Sequence, residues 1–248
     1  MAQPRKQGHQ CSYVTSAAIS GDDITVAVIQ DTRQVDGLGG EVWPGAHLLC
    51  QHLEVHAASL KLASARVLEL GAGCGLCGLV AAALKAQSVT LSDEYPDLLQ
   101  TNIDLNSAWL GNQVIDAREL VWGDEKVCDE GLAYDIVLGS EITQLGRGLH
   151  RPLLETVTWV AHASTIALFS MDVCRDTCMG ECNPARCIAS HFVFMAREVG
   201  FVVKKHPSVC LTSMPSVTNA VGALGRTWPL EGDELSTVFE LTLKSAPQ

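Results

Sequence analysis

Three acids and one run of glycines are the residues of this chain best suited to chemistry. The run Val67 to Gly78 reads VLELGAGCGLCG. Gly71, Gly73 and Gly75, with Ala72 between the first two, would let the backbone turn tightly and approach a ligand with no Cβ atoms in the way. Glu69 stands two residues before the first of these glycines. A helix from Leu76 to Leu84 would follow, and its free N–H groups favour an anionic group such as a carboxylate or phosphate. Asp93 lies 22 residues after Gly71, where an acid closing a strand can accept hydrogen bonds from both hydroxyls of a ribose. Pro96 suits a first helical turn, so Asp93 or Glu94 could equally favour that helix's dipole. Glu141 follows a further strand, YDIVLGSEI (Tyr134 to Ile142), at the sheet edge where α/β folds bind ligands.

The elements that must hold these residues alternate as an α/β fold requires. Val67, Leu68 and Leu70 form the short apolar run of a strand buried on both faces. Further strands are expected at Ser88 to Leu91 and near Leu120, Ile136, Ile166 and Val202, with a last one at Ser236 to Leu243. A helix is expected over Pro44 to Leu60. Another should span Asn183 to Val199, with Asn183 as cap, Pro184 in the first turn and Gly200 at the end. Residues 1–35 read as an extension containing one strand, Ile24 to Ile29, and 36–248 as a single domain. The stretch from Pro207 to Asp233 reads as a loop excursion.

The glycine spacing separates two nucleoside-binding folds. A dinucleotide fingerprint, G-x-G-x-x-G, would need glycine where this chain has Leu76. The pattern here is E-x-G-x-G-x-G, which resembles the first motif of the seven-stranded class I methyltransferases that use S-adenosylmethionine. Three further segments narrow the resemblance: GLGGEVWPGAHLLCQHLEVH (Gly37 to His56), LSDEYPDLLQTNIDLN (Leu91 to Asn106) and ELVWGD (Glu119 to Asp124). Together they look like methyltransferase family 16, a protein-lysine methyltransferase group, over roughly Asp36 to Phe201. The resemblance implies a Rossmann-like seven-stranded sheet, mostly parallel with an antiparallel last strand and helices on both faces. It implies that Glu69 helps to hold the ammonium group of S-adenosylmethionine and that the glycine loop borders its methionine end. Trp43 would touch the cofactor, Trp122 would lie beside its adenine, and Ser140 would lie near it. An apolar aromatic wall suits adenine, because it buries a flat ring and leaves the edge free to hydrogen-bond.

The resemblance departs at the acceptor side. The family usually follows its fourth strand with an acid, two residues and an aromatic; here the acid is Glu141 and the aromatic's place falls on Gln144. The motif implies that Glu141 draws in and orients a cationic amine at the reacting centre. Gln144 removes one wall of that channel. The first reading is a methyltransferase acting on a nitrogen, a lysine of a protein; a non-catalytic cofactor-binding module is the second and a small-molecule N- or O-methyltransferase the third.

Bulk properties set the remaining bounds. The net charge of −11 argues against binding a phosphate backbone, which needs a basic surface. It is compatible with a basic protein substrate or with solubility alone. The polar start MAQPRKQGHQ carries no signal core and no apolar run reaches membrane-spanning length, so a cytoplasmic protein is expected, with a nuclear location also compatible. The ten cysteines read as reduced thiols. Cys74 and Cys77 lie inside the glycine loop, where a metal would crowd the ligand. Cys174, Cys178, Cys182 and Cys187 are spaced by three, three and four residues rather than as paired C-x-x-C. No metal site is expected.

Overall fold

The computed structural model describes residues 9–15, 23–31, 38–125, 133–173, 183, 185, 187–207, 209–210 and 235–244. The expectations for the 207–233 stretch and for Cys174, Cys178 and Cys182 lie almost wholly outside them. The chain runs β1 (His9–Val14), β2 (Thr25–Gln30), α1 (Pro44–His56), β3 (Arg66–Leu70), α2 (Leu76–Ala83), β4 (Ser88–Asp93), α3 (Asp97–Leu105), α4 (Ser107–Leu110) and β5 (Val114–Glu119). It continues with β6 (Tyr134–Ser140), α5 (His150–Val160), β7 (Ala161–Val173), α6 (Ile188–Val199), β8 (Phe201–Lys205), β9 (Val209–Cys210) and β10 (Leu235–Leu243).

The main sheet has the strand order β5-β4-β3-β6-β7-β10-β8. Strands β3 to β7 are parallel, and β10 runs antiparallel between β7 and β8. This is the seven-stranded arrangement expected from the motif, with β9 a short addition on β10. Neighbouring residues of the central strands go to opposite faces, as the strand period demands. Val67, Ile136, Leu138, Leu168 and Val238 pack on one side, and Leu68, Val137, Phe169 and Phe239 on the other. Helix α2 is buried along all of its length, which is why it is built from Leu, Val, Ala, Cys and Gly with no polar face.

The N-terminal segment forms a hairpin, β1 with β2, where the sequence suggested one strand. Its outer edge is completed by side chains. Asn102 of α3 accepts from Ile29 N–H at 2.7 Å and donates back to Ile29 O at 3.1 Å, and Asn106, one turn on, does the same for Ala27. Two asparagines at helical spacing thus stand in for a neighbouring strand. Asn102 also donates to Cys74 O at 2.9 Å, which ties the glycine loop to the hairpin.

Two helix boundaries differ from the sequence reading. Helix α1 stops at His56, and a turn through Leu62–Ser64 leads into β3. Helix α6 starts at Ile188 behind Cys187, whose sulfur accepts from Ser190 N–H at 3.5 Å. Asn183 caps a preceding turn, taking Ala185 N–H at 2.9 Å. The short polar side chain favours a local turn as readily as a helix end.

Candidate functional site

Because β3, β4, β6 and β7 are parallel, their C-terminal ends open on one edge of the sheet, and a cavity of about 680 Å³ lies there. That volume suits a drug-sized ligand. The sequence-predicted residues Trp43, Glu69, Gly71, Ala72, Gly73, Asp93, Trp122, Ser140 and Glu141 all line it. Gly75 does not. It is the left-handed residue preceding α2, with φ +79°, and a Cβ there would meet the side chains of Leu91 and Leu99 at 2.9 and 3.1 Å. Its position makes the turn rather than the lining.

The glycine loop is shaped by what it touches. Gly71 and Gly73 have φ of +58° and +54°. A Cβ at Gly71 would sit 2.8 Å from the Trp122 ring, and one at Gly73 would sit 2.5 Å from the backbone oxygen of Gly39. Side chains are excluded on both grounds. Asp93 holds the loop from the end of β4, accepting Gly73 N–H at 2.9 Å and Tyr95 N–H at 3.3 Å. The Trp43 indole donates to Leu38 O at 3.0 Å, closing the segment that leads into α1 against the same loop.

Glu69 is where the structure adds most to the motif. Its side chain is fully buried and accepts Gly78 N–H at 2.7 Å. The anion favoured by the N-terminus of α2 is therefore Glu69 itself, so a ligand at this point meets a carboxyl group. Burial pushes the acid up to about 8, against the lowering effect of the Gly78 bond. It is easily ionised by a cation placed beside it.

Glu141 has a left-handed backbone, φ +58°, and makes no side-chain cap on the turn Ile142–Leu145 that follows it. Its carboxylate instead lies against the first turn of α1, in the space a Cβ at Gly45 would fill. Ser140, just before it, accepts from the Ser170 hydroxyl at 3.0 Å. Gln144 lines the cavity as expected from its spacing, and Asp172, near the end of β7, joins it. The turn bearing Gln144 is anchored by buried His150: its Nε2 lies 2.9 Å from Thr143 O and its Nδ1 lies 2.8 Å from His191 Nδ1. Bonding to a carbonyl assigns the Nε2 proton to His150, leaving its Nδ1 to accept from His191.

Six carboxyl side chains line the cavity: Glu41, Glu69, Asp93, Glu94, Glu141 and Asp172. No lysine, arginine or histidine is among the described lining residues. Such a lining repels phosphates and attracts cations. An S-adenosylmethionine molecule, with a sulfonium and an ammonium, fits it; a dinucleotide does not. The glycine cradle and the two tryptophans fit its chain and its adenine.

Asp93→Ala tests this arrangement. Losing the carboxylate leaves Gly73 N–H without its partner and, if Asp93 holds the ribose as the motif implies, removes its acceptor. Cofactor affinity is expected to fall by about 1.5–3 kcal/mol, roughly 10- to 150-fold in Kd, read by calorimetry. A loss below about threefold would take Asp93 out of the site.

The buried groups also predict a pH profile of stability. Burial lowers His47 to about 4 and lowers His150 as well. In the unfolded chain both titrate near 6.5, so the unfolded state binds more protons below that pH and stability rises as pH climbs to about 6.5. Glu69 acts oppositely: unfolded it titrates near 4.5 and folded at about 8, so its contribution is lost as pH rises through that window. His52 and His191 are lowered in the same way, and these histidines against one acid should place the maximum melting temperature near pH 6.5, followed by a decline to pH 8. Glu69→Gln should flatten that decline, and scanning fluorimetry across pH 5–8.5 would check it. A decline unchanged in Glu69→Gln would refute the assignment.

Comparison with known proteins places this geometry. A family model described as lysine methyltransferase matches residues 20–177. Protein N-lysine methyltransferase METTL21A of Danio rerio is 35% identical over 160 residues, covering 64% of this chain and 71% of the relative. Calmodulin-lysine N-methyltransferase of Arabidopsis thaliana is 26% identical over 204 residues, covering 79% and 66%. Among solved structures, the glycopeptide N-methyltransferase MtfA superposes with a TM-score of 0.54 at 15% identity, over 79% of this chain and 90% of the other. Magnesium protoporphyrin IX methyltransferase of Synechocystis PCC 6803 with bound SAH gives 0.52 at 12%, over 81% and 84%. At such identities those structures establish the fold alone. The family match spans more than half of the residues and takes in the glycine loop, Asp93 and Glu141, so the chain belongs to the lysine methyltransferase family, and with that membership its methyl donor is S-adenosylmethionine.

Proposed function

We propose that this protein methylates the Nζ of a lysine on a protein substrate. The observation that carries the reading is the cavity lined by six carboxyl groups and no basic side chain among its described residues, which suits two cationic ligands meeting in one site. Residues 36–248 make the methyltransferase domain, with the hairpin of the first 35 residues docked on it. In the site, Glu69 takes the ammonium of the cofactor, Asp93 its ribose, Trp122 and Trp43 its adenine end and flank. Gly71, Ala72 and Gly73 give the backbone approach, Gly75 makes the turn, and Ser140 lies alongside.

S-adenosylmethionine supplies an electrophilic methyl group on a sulfonium. The protein then has to align the amine, exclude water and help the lysine shed its proton, since only the neutral amine attacks. Glu141 and Asp172 attract the ammonium form to the mouth of the cavity. Glu141 orients it, and the proton leaves to solvent as the amine settles into the site. Exposed Leu38, Tyr95, Val121, Leu145 and Leu149 ring the opening and offer an apolar collar to the aliphatic stem of lysine. Tyr95 supplies an aromatic to a lining that lacks one at Gln144.

Among the described residues, no helix is long and apolar enough to cross a membrane. The acidic balance fits a cytoplasmic or nuclear enzyme that meets basic protein surfaces and not nucleic acid. Labelled cofactor incubated with cell lysate, followed by mapping of the modified sites, tests the proposal. Label on lysines of one or a few proteins supports it. Label confined to metabolites or to other side chains rejects the lysine assignment, and no label in either pool supports a non-catalytic module.

A further inference from the structure

His52 and His56 stand one helical turn apart at the C-terminal end of α1, so their rings share a face. That helix packs on β7 and β10, and His206, directly after β8, reaches the same point from the sheet. The His52 ring centroid lies 4.3 Å from that of His56 and 4.5 Å from that of His206, and the other pair is 5.8 Å apart. One nitrogen from each of the three side chains falls within 4.8 Å of the others. Among the described residues, no other group of three His, Cys, Asp or Glu side chains comes together in this way.

A fourth residue supports the arrangement. Glu240 of β10 places Oε2 2.9 Å from His206 Nε2 and 3.1 Å from Lys204 Nζ. A carboxylate bonded to one imidazole nitrogen fixes the ring and its tautomer and makes the other nitrogen the ligating one. It also balances Lys204, the nearby cation that would otherwise oppose a metal.

We propose that His52, His56 and His206 bind a divalent first-row transition ion, with zinc the best match and water in the remaining position. Three imidazoles and an open position are a common zinc ligand set. Zinc–nitrogen bonds of 2.0–2.1 Å put tetrahedral ligands about 3.3 Å apart, so the three nitrogens must close by at most about 1.5 Å. All three side chains are partly exposed, so the His52 and His56 rings have room to rotate toward the His206 ring that Glu240 holds. The ion would clip the end of α1 to the β8–β10 side of the sheet. Ala46, the last residue of α1 on the cavity, lies six residues from His52 and ten from His56, about 9 and 15 Å along the helix. The ion is therefore a staple on the scaffold and takes no part in methyl transfer.

The test uses full-length protein freed of any polyhistidine tag, stripped with chelator and titrated with cobalt(II) and then zinc. One equivalent of cobalt should give visible tetrahedral absorption without the near-ultraviolet bands of thiolate ligation, and zinc should displace it. Zinc should also raise the melting temperature. His52→Gln and His206→Gln should each weaken binding at least tenfold, and Glu240→Gln about 10- to 100-fold. Cofactor binding by the same variants, measured alongside, reports that they are folded. Absence of a stoichiometric cobalt spectrum, thiolate bands, or variants that bind like wild type would each overturn the assignment.

Discussion

Gly73→Arg is expected to abolish measurable S-adenosylmethionine binding in calorimetry, a loss of at least 100-fold, or about 2.7 kcal/mol. Three effects act together at this residue. Its φ of +54° is strained for any side chain. A Cβ would sit 2.5 Å from the Gly39 backbone oxygen, which cannot rotate away as a side chain could. The guanidinium would also be drawn to the carboxylates of the cavity and compete with the cofactor's own cation. Circular dichroism should show the sheet intact, because the loop lies at its edge. Gly73→Ala keeps the first two effects and should show an intermediate loss. Wild-type protein should gain thermal stability from S-adenosylmethionine and its demethylated product but not from NAD, whose phosphates face the acidic lining. Binding of Gly73→Arg within threefold of wild type, or stabilisation by NAD in preference to the sulfonium cofactor, would remove the loop from the site.

The same loop shows what a linear reading can see. E-x-G-x-G-x-G and the acid 22 residues on are set by local backbone geometry and by the parallel pairing of β3 with β4, so their spacing survives in the sequence. Gly45 carries no such signal. In the first turn of α1 a glycine reads as a weak helix former, yet its missing Cβ leaves room for the carboxylate of Glu141, 96 residues further along the chain. Asp172 escaped for a similar reason: only the sheet order brings the end of β7 to the same edge as β4 and β6. His150 reads as one polar residue near a helix start, and its role in holding Thr143 depends on His191 from α6. The alternation of strands and helices followed from periodicity because apolar runs encode burial, whereas the antiparallel last strand followed from the family resemblance. Contacts between distant side chains are encoded only in three dimensions.

Glu141→Gln should lower turnover by at least one order of magnitude, about 1.4 kcal/mol of barrier per order, while changing cofactor affinity by less than threefold. The substitution keeps the shape of the side chain and removes its charge. If Glu141 attracts and orients the amine, the loss falls on the acceptor: kcat over KM for the protein substrate drops and calorimetric binding of the cofactor does not. A merely structural acid would behave otherwise. Glu141 lies on the first turn of α1, where a carboxylate favours the helix dipole, so loss of that contact alone would lower the melting temperature and leave turnover per folded molecule near wild type. Gly45→Ala separates the two further, because its new methyl occupies the space of the Glu141 carboxylate while the acid itself remains. It should reproduce much of the turnover loss of Glu141→Gln, and combining both changes should cost little more than either one. Full additivity would mean that Gly45 and Glu141 act independently, and unchanged turnover in Glu141→Gln would end the catalytic assignment.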